Sequence, residues 1–583
     1  MSDPIISLKD FSFQYREQSN PTLCDLNLEV FQGQKVAIVG PSGCGKSTLV
    51  SVLNGLIPHH YQGESKGTVK IAGLNPQNAP IVEIARHVGT VLQDMSSQFV
   101  GLTVAEDIAF SLENRAVPQA GMPAMVTAAA ETVGMESKLD AAPQDLSGGQ
   151  KQRVAMAGVL VENVDILIFD EPLAMLDPAS GRATIDLIDR LNQDGKTILI
   201  VEHRLEDVLH RNVDRVILMD QGQIVADLPP NELVATTLLE EHGIRPPLHV
   251  AALKYAGIKI CPQMCAAYVE RLKLSPIEIQ KVKAWADSIE TTGTTTQVQT
   301  ETVIELDEVT AAYPPAGDEV PPPVFQAVSV SLQSGSMVAI VGSNGAGKST
   351  LAGAICGFVP ITAGVLKING SLANSWSLAQ RGEEVGFVLQ SPSQMLSAPL
   401  VTDELQLGLK VKGIDAQTIA ERCEKALRVC GLWQHRNWPI SALSHGQKKR
   451  LTIATILALG PSILILDEPT AGQDFAHYAE FMDFLREINQ SGVTVVLITH
   501  DMHLALEYTQ RVLVVSGGEI LADDSPAKVL TDPAITKAAD LTLTGLHALA
   551  QLCGIHNISG FAQKFVEADQ KLRRQQGNRG GGA

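Results

Sequence analysis

Aromatic residues are scarce in this 583-residue chain, at 4%, and no apolar run approaches the ~20 residues a helix needs to cross a bilayer. A chain that itself spans a membrane as helices is therefore excluded. Cysteine is sparse too: eight residues, scattered, which excludes a disulfide-dense secreted scaffold and fits a reduced, cytosolic protein. Cys261 and Cys265 form the only close pair, and with no second Cys or His cluster nearby they do not read as a metal site. Basic charge is in deficit, 45 Lys and Arg against 64 Asp and Glu for a net −19, which argues against a large nucleic-acid surface. The one basic cluster, Lys571–Arg574 with Arg579, runs into Gly580–Ala583, so residues 571–583 are expected to be a disordered tail. The start, Met1–Ile6, shows neither the basic residues nor the apolar core of a secretory signal.

Phosphate-binding loops are present twice. Gly40-Pro-Ser-Gly-Cys-Gly-Lys46-Ser47-Thr48 follows the apolar run Val36–Val39 and precedes the helix-like Leu49–Leu53. Gly342-Ser-Asn-Gly-Ala-Gly-Lys348-Ser349-Thr350 follows Val338–Val341. Both fit a buried strand, a Gly-rich turn and a helix N-terminus, the arrangement that turns backbone N–H groups onto an anion. In the first loop Gly40, Ser42, Gly43, Cys44 and Gly45 would wrap the phosphates; Gly342, Asn344, Gly345, Ala346 and Gly347 would do so in the second. Lys46 and Lys348 add a point charge, and the Ser47 and Ser349 hydroxyls can ligate Mg²⁺. Cys44 lies inside the first loop, so a thiol-alkylating reagent is expected to block that site.

Later landmarks repeat as well. Gln93 and Gln390, Ser147 and Ser444, Asp170 and Asp467, and His203 and His500 each stand 297 residues apart, against 302 for the two lysines. The five-residue difference falls where the first half carries extra residues around His59–Glu64. Such a repeat means two homologous domains. Each half alternates short β-branched runs with helical patterns, the α/β signature. The first domain is expected over 1–228, closing with a hairpin at Asp220–Ile224. Residues 229–300 read as a helical inter-domain segment, with a helix start at Ser275-Pro276 and a linker at Thr291–Thr296. The second domain is expected over 301–524 and a helical appendix over 525–570. The Pro-rich stretch from Tyr313 to Pro323 reads as a spacer loop.

Two apolar strands end in paired carboxylates, Asp170-Glu171 and Asp467-Glu468, each followed by Pro. A strand so placed can deliver the first carboxylate to a Mg²⁺ shell and the second to the water that attacks the γ-phosphate. Leu146-Ser-Gly-Gly-Gln150 and Leu443-Ser-His-Gly-Gln447 each open a basic helix, again an anion-binding start.

With these segments the chain resembles two ABC-type ATPase domains fused in tandem. The resemblance implies two P-loop domains, each with a RecA-like α/β core, an antiparallel β subdomain and a helical signature subdomain. It implies ATP hydrolysis with Mg²⁺ at two composite sites, because in that family the signature segment of one domain completes the site of the other, here by pairing within one chain. One site would join Lys46, Ser47, Gln93, Asp170, Glu171 and His203 with Ser444, Gly446 and Gln447. The other would join Lys348, Ser349, Gln390, Asp467, Glu468 and His500 with Ser147, Gly148, Gly149 and Gln150. In the family pattern Gln93, Glu171 and His203, with Gln390, Glu468 and His500, serve catalysis. Ser47, Gln93 and Asp170, with Ser349, Gln390 and Asp467, serve the metal. Tyr15 and Tyr313 stand where an aromatic ring stacks on adenine. Thr48 and Thr350 complete the phosphate loops. Two departures are visible: His445 replaces a glycine in the second signature, and Leu173 stands where the second half has Thr470.

The run Gln93-Asp-Met-Ser-Ser-Gln98-Phe99, followed by Thr103–Phe110, is similar to the ATPases of energy-coupling factor transporters, although Met95 stands where Pro392 keeps a proline in the second half. That resemblance implies a transmembrane coupling subunit, a small substrate-binding membrane subunit, and uptake of a vitamin or other micronutrient at the cytoplasmic face of the cell membrane. The coupling subunit would press helices beside Gln93–Phe99 and Gln390–Leu396. The alternatives are the ATPase of a sugar-type importer, a ribosome-associated tandem ATPase, and a non-catalytic scaffold. Intact Lys, Asp, Glu and His in both halves disfavour the last.

Overall fold

The computed structural model describes residues 3–93, 98–174, 176–288, 301–314 and 321–580. The Thr291–Thr296 linker, Met95 and part of the Pro-rich spacer lie outside them. The chain divides into two compact units, one formed by Met1–Ser288 with Gly472–Ala476 and Ala548–Ile555, the other by the remainder.

In the first unit the strands are β1 (Ile6–Tyr15), β2 (Leu23–Val30), β3 (Lys35–Val39), β4 (Gly63–Ile71), β5 (Val88–Val91), β6 (Ile166–Asp170), β7 (Thr197–Val201), β8 (Arg215–Asp220) and β9 (Gln223–Leu228). β2, β1 and β4 make an antiparallel sheet. The other six form a sheet in the order β5-β6-β7-β3-β8-β9, parallel except for β9. The inner strands read as unbroken apolar runs, Val-Ala-Ile-Val and Ile-Leu-Ile-Phe, because a parallel sheet is covered on both faces. β3, at the centre, feeds the first phosphate loop, and β6 and β7 end beside it; the crevice at the carboxyl ends of such strands is where ligands bind. The β8–β9 turn uses Gln221 and Gly222 at φ 46° and 78°, the two-residue hairpin expected from the sequence.

A helical subdomain follows β5: Val104–Asn114, Met122–Val133 and Gly148–Leu160. Thr103 caps the first helix, with Glu106 reciprocating. Residues 229–288 belong to the first compact unit. They are tied to its sheet by Tyr268, whose hydroxyl bonds both the N–H and the carbonyl of Val213, and by Glu206, which accepts from Leu248 N–H at 2.9 Å. The helix Pro276–Ser288 begins as expected, with Ser275 and Glu278 capping each other.

The second unit repeats the plan with β10 (Thr302–Ala311), β11 (Phe325–Gln333), β12 (Met337–Val341), β13 (Ile361–Ile368), β14 (Ser371–Leu372), β15 (Val385–Val388), β16 (Ile463–Asp467), β17 (Thr494–Ile498), β18 (Arg511–Ser516) and β19 (Glu519–Asp524). Its main sheet runs β15-β16-β17-β12-β18-β19. Arg381 is buried here and donates to the carbonyls of Ala354, Ile355, Ala373 and Asn374, holding the end of the phosphate-loop helix.

One expectation is corrected. Residues 571–580, read as disordered tail, continue the helix Ile558–Gly580. Phe561 and Phe565 bury its apolar side, and Arg573 pairs with Glu507 at 3.0 Å and with Asp569. A buried anchor and an ion pair outweigh the polar, Gly-rich composition of the segment.

Candidate functional site: two phosphate-loop centres

Each phosphate loop is shaped by its glycines. Gly45 and Gly347 stand at φ 105° and 102° directly before helices Lys46–Leu53 and Lys348–Cys356, a backbone that side chains rarely adopt. A Cβ on Gly40 would meet Met219 O at 2.2 Å, and one on Gly342 would meet Val515 O at 2.2 Å, so the loop packs directly on the neighbouring strand. Lys46 Nζ folds back to the carbonyls of Gly40 (2.8 Å) and Pro41 (2.9 Å), and Lys348 Nζ to those of Gly342 (2.9 Å) and Ser343 (2.8 Å). An ammonium parked on loop carbonyls is a charge poised for an anion in the same loop. Tyr15 and Tyr313 hydroxyls lie 3.2 Å from Thr48 Oγ1 and Thr350 Oγ1, which fixes both rings beside the loops.

The carboxylates arrive as the sequence predicts. Asp170 ends β6 close to Lys46, Ser47, His203 and Glu171; burial and the Glu171 charge push its carboxyl up to about 6, opposed by Lys46. Its Oδ1 is buried with no hydrogen-bond partner among the described residues. Ser349 Oγ donates to Asp467 Oδ2 at 3.0 Å, and burial raises the Asp467 carboxyl too. An orphaned carboxylate oxygen beside a hydroxyl and a side-chain amide is an all-oxygen donor set that suits Mg²⁺.

Glu171 and Glu468 adopt left-handed backbones, φ 50° and 45°. A bulky residue held there is strained, and such strain gathers at functional sites. Glu171 Oε1 lies 2.6 Å from His203 Nε2, and its Oε2 accepts from Gln93 Nε2 at 2.5 Å. Glu468 Oε1 lies 2.8 Å from His500 Nδ1 and accepts the His500 backbone N–H at 3.1 Å. The two histidines thus turn opposite ring nitrogens to their glutamates. Gln390 stands exposed just past β15.

The signature residues form helix starts. Ser147 Oγ accepts from Gln150 N at 3.3 Å while Gln150 Oε1 accepts from Ser147 N at 3.0 Å; Ser444 and Gln447 repeat this at 3.2 and 2.9 Å. The Ser and Gln of the motif are therefore a capping box, and Gly148, Gly149, His445 and Gly446 supply the first-turn N–H groups. Burial and the Lys449 and Lys448 charges lower the His445 imidazole, favouring its neutral form.

The Cys44 thiol is buried, and desolvation raises its pKa against the pull of Lys46, which lowers the thiolate fraction open to an alkylating reagent. Four residues escaped sequence reasoning. Gln152 donates to Pro172 O at 2.6 Å, Glu202 accepts from Leu173 N at 2.8 Å, Arg204 donates to Leu173 O at 2.8 Å, and Lys449 is buried near Glu468. The departure at Leu173 was the only signal, since a side chain bonding a distant backbone leaves no periodic trace.

Fold and site together define a tandem P-loop ATPase of the ABC type. The ABC transporter family model matches residues 23–174 and 325–471, and a model described as ATP-binding cassette cobalt transporter matches 236–310. An ABC transporter ATP-binding protein of Clostridium perfringens is 47% identical over 98% of this chain and 99% of its own length. One from Enterococcus faecalis is 48% identical over 98% and 100%. The solved structure of cbiO1 from Clostridium perfringens, described as part of the ABC transporter complex cbiONQ, is 28% identical over 41% of this chain and 94% of that one, with a TM-score of 0.37. The chain belongs to the ABC transporter ATP-binding proteins: it binds ATP and is the ATPase subunit of a transporter.

Proposed function

We propose that this chain energises an energy-coupling factor type importer of a vitamin or other micronutrient, bound at the cytoplasmic face of the membrane to a coupling subunit and a small substrate-binding subunit. The observation that carries this reading is the segment from Gln98 to Leu102. Gln98 accepts from Leu92 N–H and donates to Thr90 O, both at 3.3 Å; Asp107 accepts from Val100 and Gly101 N–H; Glu106 accepts from Leu102 N–H. The segment so pinned carries Val100 and Leu102 outward, 61% and 80% exposed, and Phe110 on the helix that follows is 42% exposed. The second half mirrors it with Glu404, which accepts from Ser397 and Ala398 N–H, near exposed Leu407 and Val411. A hydrogen-bonded segment edged with apolar side chains suits the apolar face of a helix from a membrane partner. No helix of the described residues is long and apolar enough to cross a membrane, which leaves the channel to other subunits. The match of residues 236–310 to a cobalt-transporter family supports a micronutrient cargo.

At each site the phosphate loop and its lysine hold the nucleotide phosphates, and Tyr15 or Tyr313 stacks on the base. Ser47, Gln93 and Asp170, with Ser349, Gln390 and Asp467, would hold Mg²⁺, which neutralises phosphate charge. Glu171 and Glu468 orient and deprotonate the attacking water, and His203 and His500 contact the γ-phosphate. Ser444, Gly446 and Gln447 complete the first site, and Ser147, Gly148, Gly149 and Gln150 the second. Greater affinity of ATP for the closed pair of domains converts binding into motion. Mass spectrometry of the complex that co-purifies from detergent-solubilised membranes tests this. One coupling protein plus a small hydrophobic protein is expected; two ordinary permeases would reassign the chain to sugar-type importers.

A further inference from the structure

The two halves share a backbone frame around the catalytic glutamate. Glu171 N–H bonds Val201 O and Glu202 N–H bonds Ile38 O; Glu468 and Thr499 repeat these bonds to Ile498 and Ile340. The side chains laid on that frame differ. In the first half Glu202 is buried and splits its carboxylate between two N–H donors, Leu173 at 2.8 Å and His203 at 3.0 Å. Arg204 donates to the carbonyl of the same Leu173 at 2.8 Å. Leu173 is thus gripped at both backbone groups by residues flanking His203, two positions after Glu171. In the second half the corresponding residues are Thr499 and Asp501. Thr499 Oγ1 accepts from Asp501 N–H at 3.0 Å, and Asp501 caps its own helix through His503 and Leu504 N–H. There the His500 N–H goes to Glu468 itself.

We infer that Glu202, with Arg204, is a positioning residue of the first ATP site: it ties the His203 segment to the turn behind Glu171, using side chains the second half does not carry. Because Glu202 takes the His203 N–H, Glu171 is left to be held by His203 Nε2 and Gln93 Nε2, so its aim depends on the His203 segment staying in register with the Glu171–Leu173 turn. Misplacing a catalytic group by about 1 Å can cost on the order of 10² in rate. The burial of a carboxylate within a hydrogen-bonded tie costs free energy, which the neutral hydroxyl of Thr499, just as buried in the second half, avoids. The inference rests on ATP hydrolysis alone, and a failure of the importer reading would leave it standing.

The test measures ATP turnover of the full chain, with Glu171→Gln as the reference for loss of the first site. Glu202→Thr, which installs the residue of the second half, is expected to lower kcat at least half of the way, on a logarithmic scale, from native to that reference. KM should stay within about twofold, because Lys46 and its loop are untouched. Glu202→Gln should fall between, since an amide offers one acceptor oxygen to two N–H groups. Arg204→Met, which frees the Leu173 carbonyl and also removes the ion pair with Asp207, should move kcat in the same direction. Thermal melts accompany each variant. Native kcat in Glu202→Thr, native kcat in Glu171→Gln, or losses that track the melting temperature with Gln as damaging as Thr would each overturn the inference.

Discussion

Replacing both Glu171 and Glu468 by Gln removes the two carboxylates best placed to take a proton from water. Each has a histidine ring nitrogen within hydrogen-bond reach, at 2.6 and 2.8 Å. Each also sits on a strained backbone at the end of a buried strand, so the substitution changes charge with little room to move. A positioned general base contributes roughly 10²–10⁴-fold, and the double variant should lose at least ~10² in kcat by that measure. Binding should persist, because the Lys46 and Lys348 loops, Tyr15 and Tyr313 remain, so the affinity for a fluorescent ATP analogue should change less than about threefold. A phosphate-release assay on the full chain reads the first quantity and a titration the second. The single variants divide the loss between sites. A double variant retaining more than about a tenth of native turnover would refute the assignment of both glutamates. Complete loss from one single variant and none from the other would refute two working sites.

Three other perturbations follow from named contacts. Ser147→Ala deletes the cap on Gln150 N–H and should destabilise the first unit by about 1 kcal/mol in urea melts. Arg381→Leu strands the carbonyls of Ala354, Ile355 and Ala373 in a buried setting and should cost at least about 3 kcal/mol, read by the same melts. Burial lowers the Lys449 ammonium from 10.5 to about 8 against the pull of Glu468, so between those values the unfolded chain binds more protons. Stability from this group should therefore rise with pH from about 8 towards 10.5, and Lys449→Gln should flatten that slope.

The tandem fold was legible because its signals are local and periodic. Apolar four-residue runs before Gly40 and Gly342, and the constant 297-residue spacing of later landmarks, fix strand, loop and helix without any three-dimensional information. The signature serines were legible for a further reason: Ser147 and Gln150 cap a helix by a contact only three residues long. Arg381 and the Glu202–Leu173–Arg204 tie were not legible, because a long side chain bonding a distant backbone carbonyl has no preferred spacing. The terminal helix was misread because its last turns are polar, while the Phe561 and Phe565 anchors and the Glu507 partner lie well before them in the sequence.

The positions that differ between the halves alter charge around each catalytic glutamate in opposite senses. Behind Glu171 the first half places a second acid, Glu202, and a neutral amide, Gln152, which donates to Pro172 O. Behind Glu468 the second half places a neutral hydroxyl, Thr499, and a cation, Lys449, only 1% exposed. A buried lysine is costly unless something holds its charge, and the charge that raises its pKa here is Glu468. Hydrogen bonds hold both glutamates, Glu171 by the His203 and Gln93 side chains and Glu468 by the His500 ring and backbone N–H, and the second half adds a nearby opposite charge. Hydrogen bonds depend on geometry, whereas a charge acts over distance and is weakened by added charge. Burial limits that weakening, because salt screens a buried pair far less than an exposed one, so the two phosphate-loop centres differ in a lasting way in the charge placed behind their glutamates.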